Sequence, residues 1–228
     1  MKQNKSLFVL AACAFIALSL VNIAGKWFGP AIDIASMVKP ALLPVLAIAT
    51  LAALGDISRK GVALLVAAQL AGCLGDILLL RGEFPFFAGG IAAFLTGHIC
   101  YITLFKDSFK GLKLWQWAVS VACMALLVFG LVKFIGISGA MLGPMAVYGS
   151  VLMFLIFTGF MGVLRKKGCY WWYIFIGAVL FTFSDSQIAM DTFGVMPFAG
   201  RAAVIMLTYL LAQALLAIGS VKLIKARG

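Results

Sequence analysis

The chain has a single histidine, and that scarcity excludes more chemistry than any of its motifs suggests. A catalytic zinc cage of three histidines is out of reach with His98 alone. Acidic residues number only seven, and charged residues of both signs make up 11% of the chain, against roughly 25% in soluble globular proteins. The five cysteines (Cys13, Cys73, Cys100, Cys123 and Cys169) show no paired spacing, and all but Cys169 lie inside apolar runs. They read as small packing residues, not as disulfides or metal ligands. No G-x-S-x-G elbow occurs, so a Ser–His–Asp triad on His98 lacks its nucleophile. P-loop and dinucleotide fingerprints are missing too, because GCLGD and GGIAAF lack a strand–turn–helix setting.

What abounds is apolar sequence. Hydrophobic residues make up 64% and the mean hydropathy is +1.14. Runs near the roughly 20 residues needed to cross a bilayer recur along the whole length. Eight spans are expected, at about 6–24, 38–54, 61–80, 84–105, 114–134, 141–164, 170–190 and 200–221. Connections such as RGE (81–83) and RKKGC (165–169) leave no room for a soluble domain. The expected fold is therefore all-α: a polytopic membrane protein with eight transmembrane helices in one bundle, residues 1–228 forming a single domain. The N-terminal LAAC imitates a lipoprotein cleavage box at Cys13, but the apolar run continues to Val21, so a retained first helix is expected.

A net charge of +11 invites a nucleic-acid reading, which the distribution of the charges rejects. Lys2 and Lys5, Arg59 and Lys60, Lys106, Lys110 and Lys113, Arg165, Lys166 and Lys167, and Lys222, Lys225 and Arg227 fall in alternate connections or at the termini. Only Lys26, Lys39, Arg81, Lys133 and Arg201 fall on the other side. The positive-inside rule then places both termini in the cytoplasm; in a bacterial cell the membrane would be the inner one. Trp115, Trp117, Trp171 and Trp172 sit at cytoplasmic span ends and read as an interfacial aromatic belt. Asp33, Asp56 and Asp107 fall in solvated loops, and Asp191 with Arg201 reads as a surface pair.

Polar residues inside the spans carry the remaining information. An ionisable group there costs from roughly 3 to more than 10 kcal/mol and usually faces a cavity or a partner. Asp76 lies in the third span and Asp185 in the seventh, each near its predicted outer end. His98 and Tyr101 lie in the fourth, Tyr148 in the sixth, and Tyr209 and Gln213 in the eighth, while Lys39 opens the second. Gln69, Cys73 and Asp76 form one helical stripe, and Phe94, His98, Tyr101 and Phe105 another. Asp76 and Asp185 are 109 positions apart, and the same offset carries Lys39 onto Tyr148. That spacing is compatible with a 4+4 parallel internal repeat. Two carboxylates in one low-dielectric pocket repel each other's charge, so one holds its proton; the pair supplies a general acid and a general base, suited to an acid-sensitive C–O bond.

Together GD at 75–76, F-x-x-x-H-x-x-Y at 94–101, SD at 184–185, Y-x-x-x-Q at 209–213 and KP at 39–40 resemble the YhhN family of eight-span membrane proteins. The resemblance covers nearly the whole chain. It implies a lysoplasmalogenase, an ether-bond hydrolase that acts on the vinyl ether of a lysophospholipid within the membrane. The products would be a fatty aldehyde and glycerophosphoethanolamine or glycerophosphocholine, with no metal or organic cofactor. Protonating the β-carbon would create an oxocarbenium ion, to which water adds before the hemiacetal collapses. Asp76 and Asp185 would share the acid and base roles, in an order the sequence leaves open. His98, Tyr101, Tyr148, Ser184, Tyr209 and Gln213 would orient them or hold the glycerol hydroxyl, and Lys39 would counter the lipid phosphate or pair with an aspartate. The competing reading is an intramembrane transporter or proton-coupled carrier using Asp76, Asp185 and His98 as a polar pathway.

Overall fold

The computed structural model describes residues 4–29, 33–55, 59–165 and 168–227; Lys2, Asp56, Lys166 and Lys167 lie outside the described residues. Among the described residues, eight helices are long and apolar enough to cross a membrane. They are α1 (Lys5–Phe28), α2 (Ile34–Leu54), α3 (Arg59–Leu78), α4 (Phe84–Leu104), α5 (Leu114–Gly130), α6 (Leu142–Arg165), α7 (Tyr170–Thr192) and α8 (Arg201–Arg227). A wider π-type segment, Leu131–Ile135, prolongs α5, and a 3-10 turn, Gly139–Met141, leads into α6. Helices are the physical answer here because a chain in hydrocarbon must satisfy its own backbone polar groups. The chain is a multi-pass integral membrane protein.

Helix starts follow local capping. Asn4 Oδ1 accepts from the Leu7 amide at 3.0 Å, and Asp33 Oδ1 accepts from the Ser36 amide at 3.0 Å. The cap at Asp33 starts α2 ahead of the position expected from hydropathy, so Lys39 and Pro40 lie within the helix instead of opening it. Pro44 has no N–H for the carbonyl of Pro40. The Cys73 thiol from α3 donates to that freed carbonyl at 3.4 Å, so this cysteine bonds as well as packs.

The helices run alternately up and down. One end of the bundle holds both termini; the other, the distal end, holds the starts of α2, α4, α6 and α8. The main core draws on α2, α3, α4, α6, α7 and α8, with α8 central and α5 nearly all lipid-facing. Trp171 leaves the expected belt: it is 1% exposed, because Gly162 on α6 lets the indole lie where a Cβ would sit. Trp115, Trp117 and Trp172 stay exposed.

At the terminal end, Arg227 bonds the Leu104 carbonyl at 2.8 Å and pairs with Asp107 at 2.9 Å. Asp107 also meets Lys110 at 2.6 Å, so this loop carboxylate is held by two cations instead of water alone. At the distal end Arg201 pairs with Asp191 at 3.5 Å. The pair is lopsided: Arg201 is buried and donates to the carbonyls of Val195 and Met196, while Asp191 is exposed.

The contacts at the offset of 109 are individual pairs and do not establish a 4+4 repeat. Lys39 on α2 meets Asp76 on α3, and Tyr148 on α6 meets Asp185 on α7. Likewise α4 packs on α6 and α8 on α2. The outer helices differ: α1 lies along α2 and also against α8, whereas α5 packs chiefly on α6.

Candidate active site

Asp76 closes the last turn of α3 and is 2% exposed. Its Oδ2 accepts from the Tyr209 hydroxyl of α8 at 2.6 Å, and its Oδ1 lies 3.2 Å from Lys39 Nζ of α2. Three helices therefore converge on one carboxylate. Gly72 and Gly75 make room for this approach. A Cβ on Gly72 would meet Leu43 at 2.7 Å, with the Tyr209 hydroxyl at 3.6 Å, and one on Gly75 would meet the Phe94 ring at 2.8 Å.

Asp185 lies inside α7, seven residues before the helix ends at Thr192, and is buried. Its Oδ2 accepts from the Tyr148 hydroxyl, and its Oδ1 has no hydrogen-bond partner. No lysine or arginine pairs with it among the described residues. The two aspartates thus differ in kind. One is neutralised by an ammonium and anchored on both oxygens; the other is held on one oxygen only.

Aromatic rings join the two centres. Tyr209 lies edge-on to Phe94 and to Phe181, with centroids at 6.0 and 5.4 Å. His98 packs edge-on against Phe181 at 4.5 Å and Tyr148 at 5.7 Å. Both of its ring nitrogens lack a hydrogen-bond partner among the described residues, so it bonds neither aspartate. Deeper in the bundle, the Tyr101 hydroxyl donates to Gln213 Oε1 at 3.3 Å. Ser184 faces α8, its hydroxyl donating to the Ile205 carbonyl at 3.1 Å. Lys39, Tyr148 and Tyr209 therefore touch a carboxylate, whereas His98, Tyr101, Ser184 and Gln213 line the same interior without doing so.

Two adjoining spaces border this centre. A cavity of about 590 Å³ at the distal end is lined by Lys26, Lys39, Arg81 and Asp191 among apolar side chains. A second, of about 30 Å³, is lined by Asp185, Tyr148 and Phe94. Leu79, Phe87 and Ile188 line both, so the two spaces adjoin at these side chains. Asp185 thus faces the smaller space, and Lys39 faces the larger one while its nitrogen is held by Asp76. Asp76 lines neither.

A family model described as YhhN family matches residues 34–220. The chain belongs to the YhhN family. Lysoplasmalogenase TMEM86B of Homo sapiens is 31% identical, the match covering 94% of this chain and 85% of that protein. Lysoplasmalogenase TMEM86B of Rattus norvegicus is 32% identical over 70% of this chain and 62% of its own length. Lysoplasmalogenase TMEM86A of Bos taurus is 30% identical over 65% and 61%. No solved structure matches the chain.

Other polar ties of this YhhN protein had no sequence signal beyond burial inside a span. The Thr50 hydroxyl on α2 reaches Gln69 Oε1 on α3 at 3.2 Å. Asn22 on α1 donates to the Ala35 carbonyl on α2 at 2.7 Å. A partner on another helix leaves no trace in one helix's periodicity. Only the residue type, a buried amide in an apolar run, marks such positions.

Proposed function

We propose that this YhhN protein is a lysoplasmalogenase, hydrolysing the vinyl-ether bond of a lysoplasmalogen to a fatty aldehyde and glycerophosphoethanolamine or glycerophosphocholine. The observation that carries this reading is Asp185: a buried carboxylate with one free oxygen, facing a small space behind a larger cationic cavity. The named activity of the relatives supplies the substrate class. Hydrolysis of a vinyl ether needs one acid at the β-carbon, and a buried carboxyl group with no ion-pair partner among the described residues is suited to hold that proton.

Asp185 delivers the proton to the β-carbon, and the ether-bearing carbon becomes an oxocarbenium ion. Water adds to that carbon, and its surplus proton passes to the Asp185 carboxylate. The resulting hemiacetal loses its hydroxyl proton as the C–O bond breaks, the glycerol oxygen takes up a proton, and aldehyde and alcohol separate. Asp76, fixed by Tyr209, holds the ammonium of Lys39 in place at the distal cavity. The Tyr148 hydroxyl holds Asp185 in position throughout.

The test is purified protein incubated with lysoplasmalogen and, separately, with an acyl lysophospholipid, scoring aldehyde. Aldehyde should come from the vinyl ether alone. Asp185→Asn should abolish it at unchanged expression, and near-full activity in that variant would end the assignment. Flux of lipid across liposomes with no product formed would favour a carrier.

The charge pattern supports cytoplasmic termini. Lys110, Arg165 and Arg227 tie together the end that carries them, and the cavity opens at the opposite, outer end. A reporter fused after Gly228 that fluoresces only in the cytoplasm should be bright; darkness would invert the topology.

A further inference from the structure

We infer that the distal cavity is the head-group subsite, in which Lys26 and Arg81 hold the phosphodiester and Asp191 holds the ammonium of a zwitterionic lysolipid. The inference rests on the proposed activity for its substrate class, but its evidence is separate: the charges around one cavity and the side chains that cavity shares with the space before Asp185.

Four charged residues line the cavity, namely Lys26, Lys39, Arg81 and Asp191. Lys39 is already committed, its nitrogen lying 3.2 Å from Asp76. The phosphate partner suggested by sequence alone is thus engaged elsewhere. Lys26 and Arg81 are held less closely. Lys26 is half-buried, with Ser36 at 3.4 Å and the exposed Asp33 at 3.9 Å; Arg81 is exposed and lies over the Phe86 ring at 5.0 Å. A guanidinium and an ammonium flanking one opening suit a phosphodiester, which offers two unesterified oxygens.

Asp191 supplies the opposite sign at the same opening. It is 68% exposed, and the buried Arg201 stands beside it at 3.5 Å. An exposed carboxylate backed by a fixed guanidinium is positioned without being sealed off. Its free face can receive a primary or quaternary ammonium. The cavity thus offers both signs, as a phosphoethanolamine or phosphocholine group does.

Substrate geometry fits this order. In a lysoplasmalogen one glycerol unit separates the ether oxygen from the phosphate. The shared wall of Leu79, Phe87 and Ile188 similarly stands between the space before Asp185 and the cationic cavity. With the vinyl ether at Asp185, the head group falls on the distal side of that wall, where the charges are.

The experiment uses binding and turnover together. The saturated alkyl-ether analogue of lysophosphatidylethanolamine cannot be protonated at a vinyl carbon, so it reports binding without chemistry. Wild-type protein should bind it at least tenfold tighter than the phosphate-free alkylglycerol. The variant Lys26→Gln/Arg81→Gln should narrow that ratio to about twofold, and in turnover should raise KM while kcat stays within about twofold. Asp191→Asn should weaken the ethanolamine lipid severalfold but leave the amine-free alkyl lysophosphatidate unchanged. An unaltered ratio in Lys26→Gln/Arg81→Gln, or equal losses for both head groups in Asp191→Asn, would overturn the subsite. Glycerophosphoethanolamine should displace the analogue at concentrations where inorganic phosphate does not; displacement by phosphate alone would assign the cations to free phosphate. Should the activity reading fail instead, aldehyde would be missing while these binding ratios held.

Discussion

Lys39 and Asp76 are the residues whose removal should be felt most in the fold. A buried ion pair stripped of one partner leaves the other charge stranded, at about 3–5 kcal/mol. Lys39→Met should therefore lower stability by about that amount, read as denaturant unfolding in detergent. Lys39→Met/Asp76→Asn should recover most of the loss, because no lone charge then remains. Tyr148 should act differently, since its hydroxyl is the one hydrogen bond that Asp185 accepts among the described residues. Tyr148→Phe should reduce kcat by roughly 10²-fold, the cost of losing one aligned donor at a reacting group, with KM nearly unchanged. These residues were visible in the sequence as polar side chains at bilayer depth, and the offset of 109 hinted that Lys39 and Tyr148 stand in matching places. What could not be read was the division of labour. That Lys39 pairs with Asp76, and that among the described residues no cation forms an ion pair with Asp185, depends on how α2, α6 and α8 approach α3 and α7.

Among the helices, α3 and α4 set the size of the interior. Gly75 on α3 is the position against which the Phe94 ring of α4 rests, and Phe94 lines the small space before Asp185. Alanine favours a helix over glycine by about 0.5–1 kcal/mol, so propensity alone would make Gly75→Ala stabilising. A Cβ 2.8 Å from an aromatic ring reverses the sign of that effect. Gly75→Ala should push Phe94 toward Asp185 and lower kcat/KM about tenfold. Gly143→Ala, at a site with nothing within 4 Å of a new Cβ, should leave activity as it is. The helices themselves were legible from apolar runs, because a bilayer forces length and composition together. Their ends were less so. Hydropathy misses a start such as Asp33, whose cap draws Lys39 and Pro40 into α2, and it misplaced Trp171, whose burial depends on Gly162 of another helix.

For the whole molecule, the terminal end is tied by one loop carboxylate. Lys110, hydrogen-bonded to Asp107, holds its carboxyl below the ordinary aspartate range, with Arg227 assisting. A depressed value means that the stabilisation is present above the unfolded aspartate value and is lost as pH falls through the folded one. Unfolding followed from about pH 7 down to about pH 2 should therefore show an acid-side loss that Asp107→Asn lacks. Added salt should shrink the difference, since the group is partly exposed. Proteolysis of the last turn of α8 should quicken in the same variant, because Arg227 loses one of its two ties.

The Lys39–Asp76 pair has a further chemical consequence. A fatty aldehyde is an electrophile, and the proposed reaction would release one beside the amines of the site. Primary amines condense with aldehydes to imines, but only through a free electron pair on nitrogen. The nitrogen of Lys39, which lines the distal cavity, is engaged by Asp76 at 3.2 Å. That engagement should therefore slow modification of Lys39 by the product aldehyde.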